Sequence, residues 1–228
     1  VTRVLLLAFD TATPAVTVAV CSVDGGDATV RAERTSVDAR RHGELLAPSI
    51  ADVVRAAGAT MTDLTHIAVG IGPGPYTGLR VGLATAHALR DALGIPCVGV
   101  PTLDALAKSS GRTEPFVAAT DARRKEVFWA RYTDADTRVG DIAVDRPADV
   151  ETGGLPVIGA GAALYPETLG AGQDSWEPTH PTAAALGTFA VERLVTGAPL
   201  PEPHPLYLRR PDAQVPGATK RVRQWQQQ

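Results

Sequence analysis

Leu5-Leu6-Leu7-Ala8-Phe9-Asp10-Thr11-Ala12-Thr13-Pro14, followed by Val16 to Cys21, reads as strand, turn and strand. The apolar run from Leu5 to Phe9 is unbroken, as in a strand buried on both faces. It stops at an acid and a Thr-Ala-Thr-Pro turn. Asp24-Gly25-Gly26-Asp27 then marks a hairpin loop, and Thr29 to Thr35 returns as a third strand. Three strands joined by short turns form an antiparallel meander. The same opening run, Val4 to Phe9, is too short and too soon ended by acid for a signal sequence, and it reads as a strand.

Outward from the meander, a helix starts near His42, with Leu45, Leu46, Ile50, Val53, Val54 and Ala57 spaced by threes and fours. Pro48 inside the pattern predicts a kink or a late start, and Gly58 a stop. Ile67 to Val69 is a short strand that runs into Gly70-Ile71-Gly72-Pro73-Gly74-Pro75-Tyr76-Thr77-Gly78-Leu79-Arg80. A second helix covers Thr77 to Leu93, ended by Gly94-Ile95-Pro96, and Cys97 to Val100 is a strand. The order βββαβα and a further strand is that of a ribonuclease-H-like half-unit. A similar beginning recurs. Pro115 to Arg123 is a strand ending in an aspartate turn at Asp121, and Glu126 to Tyr132 is the following strand. Leu155 to Gly159 reads as a strand, and Thr182 to Thr196 as a helix capped by Thr182. The connection between halves falls near Thr102 to Thr113, which divides the chain into units 1–103 and 104–215, with a flexible tail over 216–228.

Composition narrows the function classes. With 44% hydrophobic and 21% charged residues, the body is globular rather than disordered. A formal net charge of -3 gives no global basic field for nucleic acid. No apolar run reaches the roughly 18 residues of a membrane span. Cys21 and Cys97 lie in apolar strands and read as small core residues in a reducing, cytoplasmic compartment.

Two segments could carry chemistry. Asp10 at a strand end suits a magnesium ion or a water beside a phosphate; its bland reading is a turn residue bonding its own backbone. Gly70 to Gly78 exposes backbone N–H groups ahead of a helix, which suits an anion. It lacks the lysine and hydroxyl residue of a P-loop, and it reads equally as a rigid connection that lets backbones approach. His42, His66, His87, His180 and His204 include no i, i+4 pair, so a helical His-x-x-x-His metal motif is missing. No Gly-x-Ser-x-Gly elbow occurs. Gly78, Gly82, Ala84, Ala86 and Ala88 make the second helix thin. A mid-helix glycine costs about 1 kcal/mol relative to alanine, so a close neighbour is expected, either this chain's own sheet or a partner's helices.

Phe9-Asp10-Thr11-Ala12-Thr13, Arg41-His42-Gly43-Glu44-Leu45-Leu46-Ala47-Pro48-Ser49-Ile50 and Gly70 to Gly82 together resemble the bacterial TsaB (YeaZ) family. So do Gly99-Val100-Pro101-Thr102-Leu103, Asp121 to Phe128 and Pro205-Leu206-Tyr207-Leu208-Arg209. The resemblance covers nearly the whole chain. It implies an α/β, actin-like ATPase (ASKHA) fold of two ribonuclease-H-like lobes, each built around a mixed β-sheet. It further implies a non-catalytic subunit for making N6-threonylcarbamoyladenosine (t6A) at position 37 of tRNAs that read codons starting with A. The implied partners are the TsaD paralogue, which carries the metal and the transfer chemistry, the TsaE ATPase, and tRNA through the complex, with a homodimer when alone. No cofactor is implied with certainty; ATP or ADP with magnesium in the complex is the one to look for. Pairing through the first-lobe helices would put Leu45, Leu46, Leu79, Arg80, Leu83 and His87 near the interface, and Asp10, Thr11, Gly72 and Gly74 are the residues that would face a nucleotide.

Two rival classes stand beside this. An independent actin-like ATPase or sugar kinase would place phosphates and adenosine at Asp10, Gly72, Gly74 and Gly159-Ala160-Gly161. A direct RNA binder would use the basic end formed by Arg209, Arg210, Lys220, Arg221 and Arg223 with Trp225.

Overall fold

The computed structural model describes residues 4–24, 26–170 and 176–208; the basic end from Arg209 onward lies outside the described residues. The first sheet holds β1 (Leu5–Asp10), β2 (Ala15–Asp24), β3 (Asp27–Val37), β4 (His66–Gly70) and β5 (Cys97–Val100), in the order β3-β2-β1-β4-β5. β1, β2 and β3 are the expected antiparallel meander, and β4 and β5 run parallel to β1. The second sheet holds β6 (Phe116–Asp121), β7 (Val127–Asp134), β8 (Thr137–Asp145) and β9 (Val157–Ile158), in the order β8-β7-β6-β9. β6 pairs antiparallel with β7 and parallel with β9, so it occupies the place that β1 has in the first sheet. Both sheets are mixed, as expected.

β1 is buried along its whole length because both of its faces are covered. On one side Leu5, Leu7 and Phe9 meet Leu46, Ile50 and Val53 of α1 (His42–Ala56) and Leu79, Leu83 and Ala86 of α2 (Tyr76–Leu93). On the other, Leu6 and Ala8 join Ala105 of α3 (Thr102–Ser110) and Leu186, Phe189 and Ala190 of a C-terminal helix at Ala183–Thr196. Two short helices, α4 (Ala160–Leu164) and α5 (Pro166–Leu169), precede that helix, which is therefore α6. The cap at Thr182 is present: its Oγ1 accepts from the Ala185 N–H at 3.1 Å. α1 runs through Pro48 without the late start that the proline suggested, with Pro48 on its exposed side.

Three features differ from the sequence reading. The stretch Thr102–Thr113, expected as a connection, contains α3. Ala105 packs with the first sheet's core, while Leu103, Leu106 and Ala107 pack with the second's, so the halves share a helix. α6 lies beyond residue 104 and yet covers the first sheet, so packing cuts across the 103/104 division. Periodicity shows that a helix has an apolar face; it does not show which sheet that face meets. Cys97 is only half-buried, whereas Cys21 is wholly buried. Burial pushes the Cys21 thiol up to about 12 and the Cys97 thiol up to about 11, so both stay protonated and unreactive at neutral pH.

A buried polar tie joins α3 to the second sheet. Asp104 Oδ1 accepts from the Tyr132 hydroxyl at 2.8 Å and from Arg138 Nη1 at 3.0 Å. Burial raises the Asp104 carboxyl above the usual range, and the Arg138 charge and the Tyr132 hydrogen bond oppose that rise.

Candidate functional site

The two aspartate turns are built alike. Asp10 ends β1, and its Oδ1 accepts from the Ala12 N–H at 2.6 Å; Asp121 ends β6, and its Oδ1 accepts from the Arg123 N–H at 2.7 Å. Each carboxylate bonds the backbone two residues on, which fixes the turn into the next strand. In the first lobe this turn is clamped by the glycine-rich segment. Thr11 Oγ1 donates to the Gly78 carbonyl at 2.7 Å, and Thr102 Oγ1 donates to Asp10 Oδ2 at 2.7 Å. The Gly72 N–H donates to Thr102 Oγ1 at 3.1 Å, while the Thr102 N–H donates to the Gly72 carbonyl at 2.8 Å. His42 Nε2 lies 2.8 Å from the Thr13 carbonyl, so the one histidine in the metal-motif-like segment is engaged in holding the same turn.

This geometry answers why α2 is thin. A Cβ at Gly78 would fall well inside van der Waals contact of the Thr11 carbonyl oxygen, and one at Gly82 would come to 2.5 Å from Thr11 Oγ1. The glycines let α2 lie directly on the turn after β1, so the close neighbour is this chain's own strand end.

The four residues expected to face a nucleotide are thereby corrected. Asp10 is 1% exposed and both its oxygens accept internal hydrogen bonds. Thr11 and Gly72 are buried and bonded as above, and Gly74 lies against the Ala12 carbonyl. The residues present do not fit a nucleotide phosphate and its magnesium there, because a magnesium ion needs oxygen ligands with room for its waters. Gly159 and Gly161 of the rival ATPase reading are likewise packed on Ala119.

Burial raises the pKa of Asp10, and the hydrogen bonds from Thr102 and Ala12 oppose the rise. The sign gives a prediction. The folded-state value lies above the unfolded one, so this carboxyl's contribution is full below the unfolded pKa and is lost as pH rises through the folded one. Asp10→Asn lacks that dependence. It should cost about 1 kcal/mol near pH 3.5 through the altered Thr102 bond, and the deficit should shrink toward pH 8. A deficit in urea unfolding that stays level or widens with pH would contradict a raised pKa.

The expected interface residues divide into two groups. Leu46 and Leu79 are 1% exposed and Leu83 6%, all in the core under α1 and α2, with Leu45 half-buried against it. They are core residues because their spacing marks the helix faces turned to the sheet. His87 is half-buried, with Nε2 3.1 Å from the Pro203 carbonyl. Arg80 is exposed, and its guanidinium lies 3.8 Å from the centre of the Tyr76 ring, which stacks on Tyr207 at 5.8 Å. The sequence reading missed this cluster and the outward alanines Ala47, Ala51, Ala84 and Ala88, all exposed. The small-residue pattern was the available signal for the alanines; nothing local announces a stack of Tyr76 on Tyr207.

Among the described residues, no helix is long and apolar enough to cross a membrane. No three His, Cys, Asp or Glu side chains among them are grouped as a metal site.

Comparison with known proteins fits the fold and the segments that carry it. The family model of TsaD, tRNA N6-adenosine threonylcarbamoyltransferase, matches residues 30–167. The chain is 45% identical over 213 residues to an uncharacterized protein of Mycobacterium leprae, covering 92% of this chain and 56% of that one. It is 37% identical over 130 residues to the tRNA threonylcarbamoyladenosine biosynthesis protein TsaB of Escherichia coli, covering 56% of this chain and 54% of that one. It thus spans about half the length of these two relatives. The solved structure of YeaZ from Pseudomonas aeruginosa superposes with a TM-score of 0.76 at 29% identity, over 90% of this chain and all of that one. The actin-like, ribonuclease-H-like architecture and these matches agree: the chain belongs to the TsaB (YeaZ) family.

Proposed function

We propose that the protein is a non-catalytic subunit in t6A biosynthesis, acting in the cytoplasm by binding and activating a TsaD paralogue that transfers the threonylcarbamoyl group to adenosine 37 of tRNA. The observation that carries this reading is the outward face of α1 and α2. These two helices pack side by side on one face of the first sheet, and their exposed side includes Ala47, Ala51, Ala84 and Ala88. Small side chains there let another helix pair approach closely, and a stable contact needs about 1,200–2,000 Å² in all. Tyr76 and Arg80, at the N-terminal end of α2, are the residue types that anchor interfaces. The name of the Escherichia coli relative and the transferase family model support the pathway. TsaE joins as a third subunit, the same face forms a homodimer in the absence of TsaD, and tRNA is met through the complex, with selection of tRNAs that read codons starting with A.

The test mixes the purified protein with the TsaD paralogue of its own host and measures mass by light scattering after size-exclusion chromatography. A stoichiometric complex that forms threonylcarbamoyladenosine when the donor, tRNA and TsaE are supplied is the expected result. Two separate peaks, with and without ATP and TsaE, would sink the reading.

A further inference from the structure

A cavity of about 170 Å³ lies between the lobes, with the turn at Ala12–Pro14 and Pro75 on one side and Thr120, Arg123 and His180 on the other. Two polar atoms in its second-lobe wall are buried with no partner in the protein: the Thr120 hydroxyl and His180 Nδ1. Thr120 is only 5% exposed. Buried polar groups normally find hydrogen bonds, and a pair left open in the wall of one cavity marks a place where something else supplies them.

The wall is also built to hold these groups still. Thr120 is the last residue but one of β6, paired with Phe128. The segment leading to His180 is pinned to the start of α4, with the Gly159 N–H donating to the Trp176 carbonyl and the Ala160 N–H to the Thr179 carbonyl, at 2.8 and 3.1 Å. Arg123 opens a run of three non-glycine residues with positive φ, 61°, 55° and 62° at Arg123, Arg124 and Lys125. Side chains with a Cβ rarely adopt that conformation, and where it persists the surroundings impose it, often at functional sites. Here Asp121 does so, bonding the Arg123 N–H and pairing with its guanidinium at 3.2 Å. The result sets a guanidinium at the cavity mouth.

The three groups share one chemistry. The threonine hydroxyl, the imidazole N–H in the appropriate tautomer and the guanidinium all donate. Asp121, the acid in the wall, is already engaged with Arg123. Ala12, Pro14 and Pro75 add an apolar wall, and the volume is well below the roughly 300–1,000 Å³ of pockets for drug-sized ligands. The geometry points to a binding site for a small oxyanion, an inorganic phosphate or a short carboxylate, held by Thr120, His180 and Arg123 between the lobes. Burial lowers the pKa of His180, with Glu177 opposing, so the ring enters neutral and offers a single donor. The site does not depend on the partner-subunit reading, and it is tested on the lone chain.

The test follows the imidazole nitrogens of the full chain by 15N NMR during titration with sodium phosphate and, separately, sodium acetate, at constant ionic strength. A saturable shift of His180 Nδ1 is expected with at least one anion, and the one that saturates names the source. Arg123→Asn keeps a residue that tolerates positive φ and removes the guanidinium; it should weaken binding about ten- to hundredfold. Thr120→Val should weaken it about fivefold. No saturable shift with either anion, or a shift that both variants leave unchanged, would overturn the proposal and leave the cavity to water. Tighter binding of ADP than of phosphate at the same nitrogen would overturn it in favour of a nucleotide.

Discussion

Gly78→Ala should destabilise the protein by about 3 kcal/mol, although alanine is the better helix former by about 1 kcal/mol. The added methyl has nowhere to go. It would overlap the backbone carbonyl oxygen of Thr11, and that carbonyl belongs to a turn held by Asp10, by His42 on Thr13 and by Thr11 Oγ1 on the Gly78 carbonyl itself. A flexible side-chain end could swing aside; a backbone oxygen fixed from three directions cannot. α2 must therefore lift off the sheet, and Leu79 and Leu83 lift with it out of the core. For a chain of this size the loss lowers Tm by about 6–12 °C. Gly43→Ala is the control: it lies in α1 with nothing within 4 Å of the added Cβ, so it should gain about 0.5 kcal/mol. Equal effects in the two variants, measured by thermal and urea unfolding, would show that Gly78 is present for reasons other than close approach.

The same residues show how far the sequence could be read. β1 was legible because its signal is local: an unbroken apolar run closed by Asp10. The second aspartate turn was legible by its likeness to the first, and its bond to the Arg123 N–H bears out the turn reading. The glycines of Gly70–Gly82 were visible as positions, but two meanings fitted them, a cradle for an anion and a close approach of backbones. Only the placement of Thr11 and Thr102, one distant in the chain from the loop, decides for the second. α3 hid because Thr102–Ser110 is short and its apolar residues serve two cores at once. α6 was found as a helix, but its destination on the first sheet depends on how the whole chain closes. The interface set suffered from the same limit. Spacing by threes and fours picked Leu46, Leu79 and Leu83 because it detects the apolar face, and in a helix lying on a sheet that face is turned inward.

The partner face should accordingly respond to charge at Ala84 and not through Leu83. Ala84 is exposed on α2, so Ala84→Glu leaves the core intact and should change Tm little. In the proposed complex with the TsaD paralogue, however, the carboxylate would be desolvated between helices without a partner, and affinity should fall by about a hundredfold. Leu83→Glu gives the opposite pattern. Leu83 is 6% exposed within the core under α2, so a charge there disrupts folding by about 4 kcal/mol before any partner is met. Loss of the complex in that variant would say nothing about the surface. The informative comparison is between Ala84→Glu and a charge on the far side of the molecule, such as Val139→Glu on β8, which is 49% exposed. Titration calorimetry against TsaD, run beside thermal unfolding of each variant, separates the cases. If Ala84→Glu binds as tightly as the unmodified chain while Val139→Glu does not, the outward face of α1 and α2 is not where the partner sits, and the contact moves to the second lobe.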